Sequence, residues 1–105
     1  MHIQIVNLNL HDLSDAAYRE ACDGLAPAFA DVPGLISKVW LADEATNTYG
    51  GVYTWVDRAA MDAFASSDLF KAIVANPHLV DITSRDFAVI AGPTSVTQAR
   101  IPAAA

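Results

Sequence analysis

Two strand-like segments lying almost end to end constrain this chain more than any other feature. Residues 35–43 and 49–56 are rich in branched and aromatic side chains, and only the polar stretch Glu44-Ala45-Thr46-Asn47-Thr48 separates them. A connection that short leaves antiparallel pairing as the one arrangement open to them. The hairpin holds both tryptophans and two of the three tyrosines, with Gly50-Gly51 in the middle of its second strand. It is therefore either an aromatic core or the wall of a pocket for a flat molecule.

Patterns of two periods flank the hairpin. Residues 2–11 read as a strand, with Ile3 and Ile5 alternating with Gln4, then Val6, Leu8 and Leu10 alternating with Asn7 and Asn9. The apolar phase switches partway, which a strand covered on both faces tolerates. Asp12 or Ser14 can cap a helix whose buried stripe is Tyr18, Cys22, Leu25 and Phe29. Pro27 predicts a kink or an end to that helix, and Val32-Pro33-Gly34 a loop. After the hairpin, Asp57 caps a second helix carrying Met61, Phe64 and Ala65. Ser66-Ser67-Asp68 restarts a short one, Asn76-Pro77 closes it, and residues 79–91 form the last strand. One domain spans residues 1–92, and 93–105 is a C-terminal tail, irregular and frayed at its Ala-rich end.

The order is β-α-β-β-α-β, an α+β ferredoxin-like arrangement with a four-stranded antiparallel sheet and both helices on one face. Val39 and Leu41 point opposite to Ile36 and Trp40, so both faces of the sheet are apolar. One helical layer cannot bury both, and a homodimer with two sheets face to face is expected.

Composition narrows the function. The 105 residues carry a formal charge of −6 with only six scattered Lys and Arg, which excludes the clustered basic face of a nucleic-acid binder and disfavours an anionic membrane surface. The N-terminus has no basic-then-apolar leader, and no apolar run reaches the length of a membrane span. Cys22 is the lone cysteine, so no intrachain disulfide forms; a cytoplasmic protein is expected. His2, His11 and His78 lack metal-ligand spacing, so no metal is expected. No Gly-rich loop opens a helix after a strand, so neither is a dinucleotide.

Pro33-Gly34, Lys38-Val39-Trp40 and Gly50-Gly51-Val52-Tyr53, followed late in the chain by Thr94-Ser95-Val96-Thr97-Gln98, resemble the YdhR-type putative mono-oxygenases. Trp55-Val56-Asp57, Ala60-Met61-Asp62-Ala63-Phe64 and Ser67-Asp68-Leu69-Phe70-Lys71-Ala72 are similar to the wider antibiotic-biosynthesis monooxygenase superfamily. The resemblance covers most of the chain. It implies the dimeric α/β barrel fold, a pocket between sheet and helices in each subunit, and, for some members, oxygenation of phenols or quinols without metal or flavin. The superfamily also holds haem degraders, isomerases, dehydratases and members without established activity. Departures are specific. Many quinol-type members carry histidine where this chain has Leu69, and polyketide monooxygenases carry asparagine where it has Gly51. Of the Asn–Trp–His set of haem degraders, Asn7 matches, but Phe64 and Val74 occupy the other two positions.

The expected chemistry is a cofactor-independent monooxygenation of a small aromatic phenol, quinol or anthrone by molecular oxygen. Trp55, Tyr53, Phe64 and Trp40 are candidate walls, with Gly51 keeping the slot open and Asn9 hydrogen-bonding the substrate. Asn7, His78 and Arg85 are candidate catalytic groups: a phenolate donor, a base and an anion stabiliser. The alternatives are a cyclase, isomerase or dehydratase of the same fold, or a ligand-binding dimer without turnover.

Overall fold

The computed structural model describes residues 1–98. The elements are β1 His2–Leu10, α1 Asp15–Ala30, β2 Leu35–Asp43, β3 Thr48–Trp55, α2 Arg58–Ala65, α3 Asp68–Ala75, β4 Leu79–Ala88 and α4 Ala91–Gln98. The strands form one antiparallel sheet in the order β2-β3-β1-β4, so the hairpin forms as expected and the first strand sits inside the sheet. None of the described helices is long and apolar enough to cross a membrane.

Local chemistry sets the helix starts. Ser14, Asp57 and Ser67 each accept a hydrogen bond from the backbone N–H three residues on, which satisfies a donor the helix itself leaves unpaired. Ser14 is thus the first cap, and Asp12 adopts a positive φ of 51° in the turn before it. Pro27 does not end α1, which runs on to Ala30. A proline deletes one bond, here the one to the Asp23 carbonyl, and the aromatic packing of Phe29 beyond it holds the last turn in place. Two further corrections concern the C-terminal end. The last strand stops at Ala88, and residues 91–98 are helical. The Ala-rich end of the tail lies outside the described residues.

The phase switch in β1 has a simple cause. Gln4, Val6 and Leu8 face the helices and are buried, while Ile3, Ile5 and Asn7 alternate onto the other face. Gln4 is the polar member of the covered row. Its amide accepts from Trp55 Nε1 at 3.0 Å and donates to Ser84 Oγ at 2.9 Å, so both of its ends are satisfied. The β1–β4 register shifts between Asn7 and Asn9, a bulge that goes with the positive φ of Asp81 on β4.

The core lies between the sheet and the helices, built from Val6, Phe29, Tyr53, Trp55, Met61 and Phe64. On the opposite face the cross-strand rows read Val39–Val52–Ile5–Arg85 and Ser37–Thr54–Ile3–Phe87. Val39 is 58% exposed and Phe87 46% exposed, so in the single chain this largely apolar face is open to water.

Candidate functional site

The residues that build the site are the ones facing inward from the hairpin. In β2 and β3, Lys38 pairs with Tyr53 and Trp40 with Gly51. Side chains two apart on a strand share a face, so Trp40, Lys38, Gly51, Tyr53 and Trp55 all point at the helices. From α1, Tyr18, Ala21, Cys22, Leu25 and Phe29 descend onto them. From α3 come Phe70 and Ile73. Val6 and Leu8 form part of the floor, and Leu13, Asn76 and Leu79 lie at the loop end. Together with Gly50 these residues, Trp55 and Gly51 excepted, enclose a cavity of about 90 Å³. Trp40 is a shared wall. Beyond it, two outer clefts run between α1 and the β2 edge, and Phe29 and Lys38 also border one of them.

Lys38 is the unusual member. Its Nζ lies 3.4 Å from the ring centroid of Trp40, 3.6 Å from that of Phe29 and 4.8 Å from that of Tyr53. Phe29 and Trp40 meet edge to face at 5.1 Å, which fixes two walls of this box. Among the described residues no carboxylate pairs with the amine and no hydrogen bond to it forms. Burial lowers its pKa to about 7 from an ordinary 10.5, and the nearby Cys22 acts weakly the other way. The ring faces also favour the ammonium form, so the amine is held between its two protonation states rather than locked neutral. Around it, burial pushes up Cys22, Tyr18 and Tyr53, which keeps the thiol and both phenols protonated.

The two glycines serve this arrangement differently. Gly50 has φ +144°, and a side chain there would run into the Val6 backbone, so only glycine lets β3 lie this close to β1. At Gly51 a Cβ would fall 2.7 Å from Lys38 Cε. The space over Gly51 therefore holds the lysine stem, where a slot for an aromatic ligand was expected.

The other expected site residues divide sharply. Trp40 and Tyr53 line the cavity. Trp55 is fully buried, stacked parallel to Tyr53 at 5.9 Å and 5.4 Å from Phe64; it and Phe64 belong to the core beneath the cavity and do not line it. Asn7 and Arg85 are on strand positions that face away from the helices, Asn7 half-buried and Arg85 exposed with its guanidinium 5.6 Å from the Phe87 ring. The Asn9 amide donates to the Asn47 carbonyl at 2.7 Å and so ties β1 to the hairpin turn. His78 is exposed, its ring Nδ1 2.8 Å from the His11 carbonyl oxygen, between the cavity residues Asn76 and Leu79 but not itself part of the wall. The structure brings together Trp40 and Tyr53 and leaves Asn7, Asn9, His78 and Arg85 outside.

Lys38 was missed as a site residue, although the signal was present. Any register that turns Trp40 inward also turns Lys38 inward, because the two are separated by one residue on a strand. A lysine on the covered face of a sheet is rare enough to mark a site.

The chain shares the fold of the dimeric α/β barrel monooxygenase structures. A structure from Deinococcus radiodurans, described as a putative antibiotic biosynthesis monooxygenase, superposes with a TM-score of 0.70 at 18% identity, over 85% of this chain and 92% of that one. SnoaB, a cofactor-independent oxygenase from Streptomyces nogalater, gives 0.65 at 20% identity over 84% and 92%. MhuD, a haem degrader from Mycobacterium tuberculosis with two haems bound in its active site, gives 0.66 at 19% identity over 86% and 96%. No curated protein sequence matches the chain. Residues 3–100 match the family described as putative mono-oxygenase ydhR, and the chain belongs to that family.

Haem does not fit the residues present. No histidine lines the cavity, and the one thiol there is held protonated rather than as the thiolate an iron would take. Among the described residues no group of three or more His, Cys, Asp or Glu is arranged to hold a metal ion.

Proposed function

We propose that this protein is a cofactor-independent monooxygenase for a small phenol or quinol, acting in the cavity between the sheet and α1. Membership of a mono-oxygenase family supports the reaction class. The observation that carries the substrate class is the cavity itself: aromatic and aliphatic walls around a single amine with no partner of its own. Apolar walls of this kind take up a flat ring, and one polar group fixes its orientation.

The chemistry needs no resident redox group. A quinol anion donates one electron to oxygen far more readily than the neutral quinol does. Recombination then forms a C–O bond at the ring. Loss of water leaves a hydroxyquinone: quinol plus O₂ gives hydroxyquinone plus H₂O. The substrate supplies all four electrons, two from its hydroquinone system and two from the ring C–H that becomes C–OH. The protein's share is to bind the ring, exclude water and steady the anion.

Size favours one ring. A cavity of about 90 Å³ matches a single aromatic ring, and a three-ring anthrone requires Trp40 to swing toward the outer clefts. The same reading makes the protein a cytoplasmic homodimer joined through the open face of the sheet.

Oxygen-electrode measurements with a panel of one-ring quinols test the proposal. Uptake above the uncatalysed rate, with one water-insoluble-phase or chromatographic hydroxyquinone product per O₂ and none under nitrogen, is expected. Product formed equally well without oxygen would assign the cavity to an isomerase or dehydratase. Binding without any product would assign it to a carrier.

A further inference from the structure

Among the described residues Lys38 is the one charged side chain that lines the cavity, and no carboxylate or hydrogen-bond acceptor of the protein reaches its amine. Gln4 and Trp55 satisfy each other, Tyr49 donates to Asp15 at 2.7 Å, and Asn9 is tied to Asn47. Lys38 is held by three ring faces and given nothing to bond. Gly51 leaves the room that lets its stem lie along β3.

We propose that Lys38 is the proton acceptor of this site, taking the hydroxyl proton of a phenol bound in the cavity and then pairing with the phenolate it has made. This deepens the monooxygenase reading and rests on it for the later oxygen step alone. The transfer is balanced: the O–H bond breaks, an N–H bond forms on Nζ, and the phenol's electron pair stays on its oxygen. The product pair is better placed than the reactants, since the rings of Phe29 and Trp40 stabilise the new ammonium and the phenolate supplies its missing counter-charge.

Three features support the assignment beyond the absence of a partner. The titratable groups packed around the amine are Cys22 and Tyr18 from α1 and Tyr53 from β3. All three are held in their neutral forms by burial, so no fixed anion competes with the ligand. Lowering by burial brings the amine to about 7, so a proton-accepting fraction exists at neutral pH. Lys38 also borders the outer cleft between α1 and Leu35–Ser37, which gives the captured proton a way to solvent between turnovers.

The test uses para-nitrophenol, a one-ring phenol whose anion is coloured, at a pH where the free compound is mostly protonated. Bound to the parent protein, it should show at least about a tenfold rise in its phenolate-to-phenol ratio, equivalent to one pKa unit. Lys38→Met should bind the compound in its colourless form. Lys38→Arg carries a permanent charge that cannot take up a proton, and it should restore the colour without restoring oxygen uptake on quinols. Colourless binding or no binding by the parent overturns the proposal. So does undiminished colour in Lys38→Met, and full oxygen uptake by Lys38→Arg reduces Lys38 to an anion anchor. Should Lys38→Met not fold, the parent spectrum and the arginine variant still decide. Phenolate formed by the parent with no oxygen uptake from any quinol removes the oxygenase reading and leaves the proton count to decide. Near neutral pH, Lys38→Arg should release about one proton per bound phenolate to a weakly buffered solution and the parent a clearly smaller fraction; equal release overturns the proton-acceptor role.

Discussion

Single residues in the hairpin carry opposite duties that look alike on paper. Trp55 and Trp40 are both strand tryptophans, but one is sealed in the core and bonded to Gln4, and the other stands at the cavity wall. Trp55→Ala removes the largest fully buried side chain and strands the Gln4 carbonyl; it should cost about 3–5 kcal/mol in a denaturant melt. Binding of a phenol should weaken only in proportion to the unfolded fraction. The glycines differ in the same way. Gly51→Ala presses on the flexible end of Lys38, so it should keep the fold at a cost of about 1–3 kcal/mol while displacing the amine and abolishing the phenolate colour of bound para-nitrophenol. Gly50→Ala meets backbone instead of side chain and should not fold stably, as circular dichroism would report. A folded Gly50→Ala would mean that β3 lies farther from β1 than described.

At the level of elements, most of the architecture was legible because each period was strong. The hairpin, the Tyr18–Cys22–Leu25–Phe29 stripe and the cap at Asp57 follow from local chemistry, and the first cap narrows to Asp12 or Ser14, of which the fold uses Ser14. What escaped was set by tertiary contact. Pro27 predicts a kink or an end to α1, and the helix does not end there because packing of Phe29 against Trp40, Tyr53 and Phe64 holds the turn beyond it. Asn7 and Arg85 matched a functional pattern by residue type, and only the register of three strands shows that they sit on the face away from the cavity. Lys38 hid because charged residues in strands are read as solvent-facing, whereas here a glycine opposite and two rings above make room for it. The same stripe on α1 offers a clean test of the cavity. Ala21 lines it, and Ala21→Leu adds three carbon atoms to a space of about 90 Å³. That variant should melt at or above the parent temperature, because it fills a void, and should no longer bind para-nitrophenol. Lower stability with binding intact would place the ligand elsewhere.

For the whole molecule, two properties can be forecast from groups already placed. Lys38 titrates near 7 when folded and near 10.5 when free, so between these values the unfolded chain binds the extra proton and stability rises with pH, by at most about 1.4 kcal/mol per unit. Above about 10, the unfolded chain loses tyrosine protons that burial retains at Tyr18 and Tyr53, and stability falls again. Urea melts should show this maximum on the alkaline side, and Lys38→Met should lose the rising limb only. The second forecast concerns assembly. Val39, Val52 and Ile5 form a cross-strand row on the open sheet face, with Ile3 and Phe87 in the next row, and no described helix covers them. Burying such a face against a second copy removes apolar area from water at about 25 cal/mol per Å², and the self-complementary contact of a twofold dimer places equivalent residues near one another. Val39→Glu then introduces a desolvated carboxylate in each copy, so light scattering at micromolar concentration should show a dimer for the parent and a monomer for the variant. A monomeric parent would sink the assembly. The cavity lies on the other side of the sheet, so a folded Val39→Glu monomer should still turn bound para-nitrophenol yellow; loss of colour with the fold intact would mean that the second subunit shapes the Lys38 site.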